Sequence, residues 1–130
     1  CFSILNEDIK KLAKDNSNFR KVVYTGKHSQ LVLMSLPIHE EIGEEVHPHT
    51  DQLLFLADGE GKAILEGQIS NFKEDEAVFV PAGTRHNFVN TGDEELKFYT
   101  VYSPPAHADG TVHKTKAHAE KDEAEHYRES

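Results

Sequence analysis

The sequence predicts an all-β domain, a sandwich or small barrel, with a short helix before it and a charged helix after it. Three observations predict this. From about Phe19 to Tyr102, apolar residues come in short or alternating runs, each too brief to make a helix face. Turn residues break those runs at close intervals: Thr25-Gly26, Asp58-Gly59-Glu60-Gly61, Glu66-Gly67, Asn71 and Thr91-Gly92-Asp93. The length of 130 residues suits one core and not two. Seven or more short strands at this spacing build a sandwich or a small barrel.

The elements follow in order. Residues 6–15 read as a helix: Asn6 can cap it, Glu7 and Asp8 suit its first turn, and Ile9, Leu12 and Ala13 form one apolar stripe. Strands are predicted over 22–24, 31–36, 53–56, 62–65, 77–80, 87–90 and 96–102. Along the last of these, Phe98, Thr100 and Tyr102 share one face. Lys97, Tyr99 and Val101 share the other, which the lysine marks as the more exposed. Met34 and Leu36 are core candidates. After Ser103-Pro104-Pro105 the composition shifts. Residues 106–114 read as an irregular arm, and Thr115 can cap a charged helix over 116–128. That helix is rich in Ala and Glu with almost no apolar stripe, so it reads as solvated or docked on a neighbour. The chain thus divides into an N-terminal helical segment (1–18), a barrel (19–103) and a C-terminal arm with its helix (104–130).

Composition excludes several classes. The net charge is −9, with Asp and Glu spread along the chain, which argues against nucleic acid or an anionic membrane as a partner. There is no run of about eighteen apolar residues and no signal-peptide pattern at the start. The single cysteine, Cys1, cannot form an intrachain disulfide or a Cys-based metal site, which points to a reducing, cytoplasmic setting. Open sheet edges, which natural proteins cover, lead us to expect a homodimer.

Two short blocks carry the chemistry. The first runs from Gly43 through Val46-His47-Pro48-His49-Thr50-Asp51-Gln52 to Gly59, and the second from Asp75 through Pro81-Ala82-Gly83-Thr84-Arg85-His86 to Asn90. His47 and His49 are two apart, so on an extended strand both imidazoles would share a face, and Pro48 between them fits a strand end near a barrel mouth. His86 follows a Pro-Ala-Gly turn. Most histidines are not ligands, but three neutral imidazoles converging in a dry interior suit a divalent transition metal. His107, His113, His118 and His126 lie in the arm and terminal helix and are expected to be solvated. His107 is the one near enough to reach a pocket mouth.

These blocks resemble the two signature motifs of the cupin superfamily over roughly residues 30–103. Pro81, Gly83, His86 and Asn90 fit the second motif, and His47, His49 and Gly59 the first. Gln52 stands where the acidic ligand usually stands, and Asp75 replaces the usual opening Gly. The resemblance implies a jelly-roll β-barrel, and one divalent metal (Zn, Ni, Mn, Fe or Co) held by His47, His49, Gln52 and His86. Gln52 lies three residues after His49, the wrong parity for a regular strand. Thr50-Asp51 must therefore bend or bulge to re-aim it, and Asp51 competes as the ligand. A neutral Gln leaves the metal's +2 charge uncompensated, which favours Lewis-acid chemistry over a higher oxidation state. Arg85 alternates with His86 and should point away, Phe88 should wall the pocket, and Asn90 should hold a turn.

Two classes of function remain. One is a metal-dependent enzyme acting on a small polar molecule, a sugar derivative or a keto or enol acid, by isomerase or lyase chemistry, with a dioxygenase as the redox variant. The other is a non-catalytic module that captures a small ligand. The sequence offers no evident general base beyond Glu44, Glu45, Asp51 or a tyrosine.

Overall fold

The computed structural model describes residues 5–126, with side chains described through residue 121. Cys1 and Arg128 lie outside the described residues. The elements are α1 (Ile9–Asp15), β1 (Arg20–Thr25), β2 (Gln30–Leu36), β3 (Asp51–Asp58), β4 (Glu60–Leu65), β5 (Gln68–Lys73), β6 (Ala77–Val80), β7 (His86–Asn90), β8 (Leu96–Ser103), β9 (Val112–His113) and α2 (Lys116–His126). Among the described residues they form a six-stranded sheet in the order β6-β3-β8-β2-β1-β9 and a three-stranded sheet in the order β5-β4-β7. All pairings are antiparallel. This is the jelly roll that the motifs imply.

Alternation along the strands builds the core. In β8, Leu96, Phe98, Thr100 and Tyr102 turn inward while Lys97, Tyr99 and Val101 lie on the half-exposed face. The inward faces of both sheets meet in one cluster that includes Val32, Met34, Leu54 and Phe98 from the larger sheet and Ala63, Phe72 and Phe88 from the smaller. Phe72, Phe88 and Phe98 form its aromatic centre, with ring centroids 5.4 to 6.4 Å apart. Thr100 is polar and wholly buried, but its hydroxyl donates to the Leu53 carbonyl at 2.9 Å, so its burial is compensated. On the outer face of the larger sheet, α1 lays Ala13 on Leu33 and Ala57.

Four details differ from the sequence expectation. Helix α1 begins at Ile9, with Asp8 and not Asn6 as its cap, the Asp8 carboxylate accepting from the Lys11 N–H at 3.2 Å. Strand β5 spans a stretch read as a turn around Asn71. Only its Phe72 is buried, so it lacks the alternation that reveals a half-buried strand. The arm is not wholly irregular, because β9 pairs with β1. Helix α2 is not simply solvated: Ala119 joins the core, and the Thr115 hydroxyl accepts from the His118 N–H at 3.1 Å as a cap.

The motif residues that are not ligand candidates now have physical roles. Gly59 has φ +96°, and a Cβ there would lie 2.9 Å from the Glu95 carbonyl oxygen. Asp75 adopts φ +66°, the left-handed region, which explains why the related motif carries Gly at that position. The Asn90 amide donates to the carbonyls of Leu36, Pro37 and Glu94 and accepts from the Gly92 N–H, fastening β2, β7 and the β7–β8 turn together.

Candidate metal centre

The site is built by a short extended run that precedes β3. Glu45 and His86 form an isolated antiparallel bridge, exchanging backbone hydrogen bonds of 2.8 and 2.9 Å. A hydrogen-bonded pair of this kind puts both side chains on one face, side by side. His47 is two residues past Glu45 and returns to the same face. Its carbonyl accepts from the Gly83 N–H at 2.8 Å, which ties the run to the Pro81-Ala82-Gly83 turn. In that turn the Thr84 N–H reaches the Pro81 carbonyl at 3.1 Å and Gly83 has φ +84°, the type II pattern that demands Gly at its third position.

One ligand atom from each of Glu45, His47 and His86 lies within 4.8 Å of the others. The two imidazoles are buried, with centroids 5.1 Å apart, and Glu45 Oε1 stands 3.9 Å from His47 Nε2. The His86 Nδ1 lies 2.9 Å from the Thr84 carbonyl and can only donate to it, which leaves the lone pair on Nε2. That Nε2 is buried and has no hydrogen-bond partner among the described residues.

The structure thus brings His47 and His86 together, and adds Glu45. It does not bring His49 to them. Residues 48–49 form a bend rather than a strand, so the same-face rule does not apply across Pro48, and His49 is exposed. The parity that matters joins Glu45 to His47. Sequence reasoning named Glu45 only as a possible base, although its position two residues before His47 was the available signal.

The same bend settles the facing of the next residues. β3 starts at Asp51 as a regular strand, and Gln52 shares its inward face with Leu54 and Leu56. The Gln52 amide nitrogen donates to the Thr100 hydroxyl at 3.1 Å, and its carbonyl oxygen is buried without a hydrogen-bond partner among the described residues. Asp51 is half-exposed, and its carboxylate accepts from the Ala82 N–H at 2.8 Å, a structural duty in the β6–β7 turn. Arg85 points out and lies 3.6 Å from Glu44. Phe88 is buried next to His86, with centroids 6.2 Å apart.

Two arm histidines expected in solvent are buried. Gln30 clamps the His107 backbone on both sides, donating to its carbonyl at 2.7 Å and accepting from its N–H at 3.1 Å. The His107 ring packs edge-on against Tyr102, which in turn packs edge-on against His47. His113 is buried on β9, its Nδ1 accepting from the Arg20 guanidinium at 3.2 Å. No local pattern signals this, because the partners come from strands far away in the chain.

Burial pushes the His47 imidazole down to about 4, with His86 and the Arg20 guanidinium adding to the effect. It pushes His107 down to about 2, again with Arg20 contributing. His86 is lowered by burial, with the Thr84 carbonyl opposing. All three are therefore neutral in the fold at values where the unfolded chain, with a His pKa of about 6.5, takes up protons. Stability is then full above about pH 6.5 and falls as the pH drops towards the folded values. In chelator-treated protein the urea midpoint should be lower at about pH 5.5 than at about pH 7.5. An unchanged midpoint would show that neutral burial of these rings contributes nothing.

A polar atom such as Gln52 Oε1 or His86 Nε2, buried without a partner, costs free energy unless something binds it. Two nitrogens and an oxygen donor are what a borderline divalent cation accepts, so the residues fit a metal.

A two-layered jelly roll whose motif histidines converge on the interior defines a class, and direct comparison agrees. A family model described as the cupin domain matches residues 32–102, and the chain belongs to the cupin family. The protein YrkC of Bacillus subtilis is 48% identical over 119 residues, covering 86% of this chain and 63% of that protein. The polyketide synthase CurC of Streptomyces cyaneus is 30% identical over 89 residues, covering 68% of this chain and 58% of that one. The chain therefore spans about three fifths of these relatives. The crystal structure of BH2720 from Bacillus halodurans superposes with a TM-score of 0.89 at 41% identity, covering 90% of this chain and 93% of that chain.

Proposed function

We infer that the protein is a metal-dependent cupin acting on a small polar substrate, a sugar derivative or a keto or enol acid, by isomerase- or lyase-type chemistry. The observation that carries this is the convergence of Glu45, His47 and His86 beside a cavity of about 470 Å³ that Glu45 and His47 help to line. The relative named as a polyketide synthase supports an enolisable keto compound over a plain sugar.

His47, His86 and Gln52 are the proposed donors for one divalent ion: Zn, Ni, Mn, Fe or Co. Distance favours Glu45 as the fourth donor. The motif resemblance favours His49, which reaches the site only if the bend at 48–49 turns inward. The choice has chemical weight, because Glu45 offsets part of the cation's charge and His49 offsets none. A cation bound there would polarise a substrate oxygen and make a bound water more acidic. The chain supplies the rest. The Thr84 carbonyl fixes the His86 tautomer, Phe88 and Tyr102 keep that side of the site apolar, and Glu45 is the nearest carboxylate for moving a proton.

Metal content of purified variants tests the donors. Gln52→Ala should weaken binding by about 10–100-fold, while Asp51→Ala should not. Glu45→Ala should lose more metal than His49→Ala, and the reverse order would assign His49. Function is tested by screening metal-reconstituted protein against ketoses, sugar acids and diketones with oxygen monitored. We expect turnover that a chelator removes and that Zn or Ni restores as well as Fe. Activity with Fe(II) alone and stoichiometric oxygen uptake would identify a dioxygenase instead. Ligand binding without turnover under any metal would identify a capture module.

A further inference from the structure

Helix α2 starts with charges of the wrong sign. The beginning of a helix carries partial positive charge and backbone N–H groups that the helix itself cannot satisfy, and acidic residues usually answer both. The first turn of α2 holds no acidic residue, and Lys114 and Lys116 add positive charge to it. The Thr115 hydroxyl accepts from the His118 N–H and the Thr115 carbonyl from the Ala119 N–H, so the cap leaves the N–H groups of Lys116 and Ala117 to other acceptors.

Thr115, Lys116 and Ala117 line a cavity of about 320 Å³, to which Phe19 and Pro37 add apolar wall. Ser35 lines it from β2, on the face opposite the core residues Met34 and Leu36. Ser35 is 3% exposed, and its hydroxyl is buried with no hydrogen-bond partner among the described residues. A buried hydroxyl in that state costs free energy unless something binds it. The helix start and the serine hydroxyl, from distant parts of the chain, thus call for an acceptor in one cavity. The two carboxylates on its wall are already engaged: Glu95 Oε1 lies 3.4 Å from Lys97 Nζ, and Glu40 Oε1 lies 4.0 Å from Lys116 Nζ.

We propose that this cavity binds a small monocarboxylate with an apolar body. Its carboxylate accepts from the Lys116 and Ala117 N–H groups and from the Ser35 hydroxyl, Lys114 supplies counter-charge from the same wall, and its hydrocarbon part lies on Phe19 and Pro37. Glu40 and Glu95 set the charge limit, because a second anionic group would meet them, and so they select against dicarboxylates. Neither His47 nor His86 lines this cavity, so the proposal does not rest on the metal reading above. Phe19 and Lys116 also line the cavity beside His47, and they partition the two.

Amide NMR of the full chain, freed of metal by a chelator, tests this with butyrate as the probe and neutral butyramide and dianionic succinate as controls. Butyrate should shift the amides of Lys116 and Ala117 most, and should bind at least about tenfold more tightly than either control. Ser35→Ala should weaken butyrate about fivefold or more, the worth of one hydrogen bond to a charged group, and Lys114→Met about 2–5-fold. In the absence of ligand, Ser35→Ala should unfold at the same urea concentration as wild type or a higher one, because the hydroxyl it removes has no partner to lose. A lower urea midpoint would show that this hydroxyl serves the fold instead, and would overturn the proposal. So would the absence of any saturable shift, equal binding of butyrate and butyramide, or an unchanged butyrate affinity in Ser35→Ala. Shifts centred on His47 and His86 would place the carboxylate in the other cavity and overturn it as well.

Discussion

Replacing His86 with alanine is expected to lower affinity for divalent metal by at least about 100-fold while leaving the fold intact. Removing an outer partner of a metal-bound histidine already costs about 10–100-fold, so removing the ring itself must cost at least as much. Among the candidate donors, His86 has the best-defined geometry. Its Nδ1 is committed to the Thr84 carbonyl, its backbone is bonded to Glu45, and its Nε2 is buried with no hydrogen-bond partner among the described residues. Neither backbone bond depends on the side chain, so β7 should keep its register in the variant. Equilibrium dialysis against zinc, with circular dichroism as the control for folding, measures the effect. Stoichiometric zinc in the His86→Ala protein would remove the site from this position.

The largest loss of stability is expected from Phe72→Ala, at about 3–5 kcal/mol, the usual range for deleting a buried phenyl group. Phe72 is fully buried and touches Phe88 and Phe98, and it is the one buried residue on β5. Its ring therefore fastens an otherwise exposed strand to the core. Without it, a cavity opens beneath β4 and β7, and β5 keeps only its ladder to β4. Urea unfolding followed by circular dichroism should show the midpoint falling with little change in slope. A loss below about 1 kcal/mol would mean that the core closes over the gap or that β5 is held by its backbone alone.

The contrast between β5 and β8 shows what a sequence displays. β8 alternates cleanly because one of its faces is core and the other is partly wet, and its inward residues could be named in advance. β5 is wet on nearly every residue, so its sequence reads as a turn although its backbone is fully paired. Helix α2 shows the same limit: among its described side chains Ala119 is the one that joins the core, and one alanine makes no stripe.

The candidate site divides along a similar line. The chain alone determined the family, the jelly roll, and the pairing of His47 with His86, because the turn chemistry of Pro81 and Gly83 and the spacing to Asn90 are local and rigid. It put Gln52 ahead of Asp51 by way of a bulge at 50–51, whereas the chain bends at 48–49 and Gln52 faces inward on a regular β3. The bend at 48–49 was beyond it. Whether a histidine two residues on shares a face depends on the chain staying extended, and Pro48 sits where the run leaves β7 to join β3. That handover between sheets turns Glu45 inward and His49 out. Only the tertiary structure decided the neighbourhood of Arg20 as well. Its hydrogen bond to His113 and its electrostatic pull on His47 and His107 link β1 to three other parts of the chain, and no local pattern records which residues a barrel's closure will bring together.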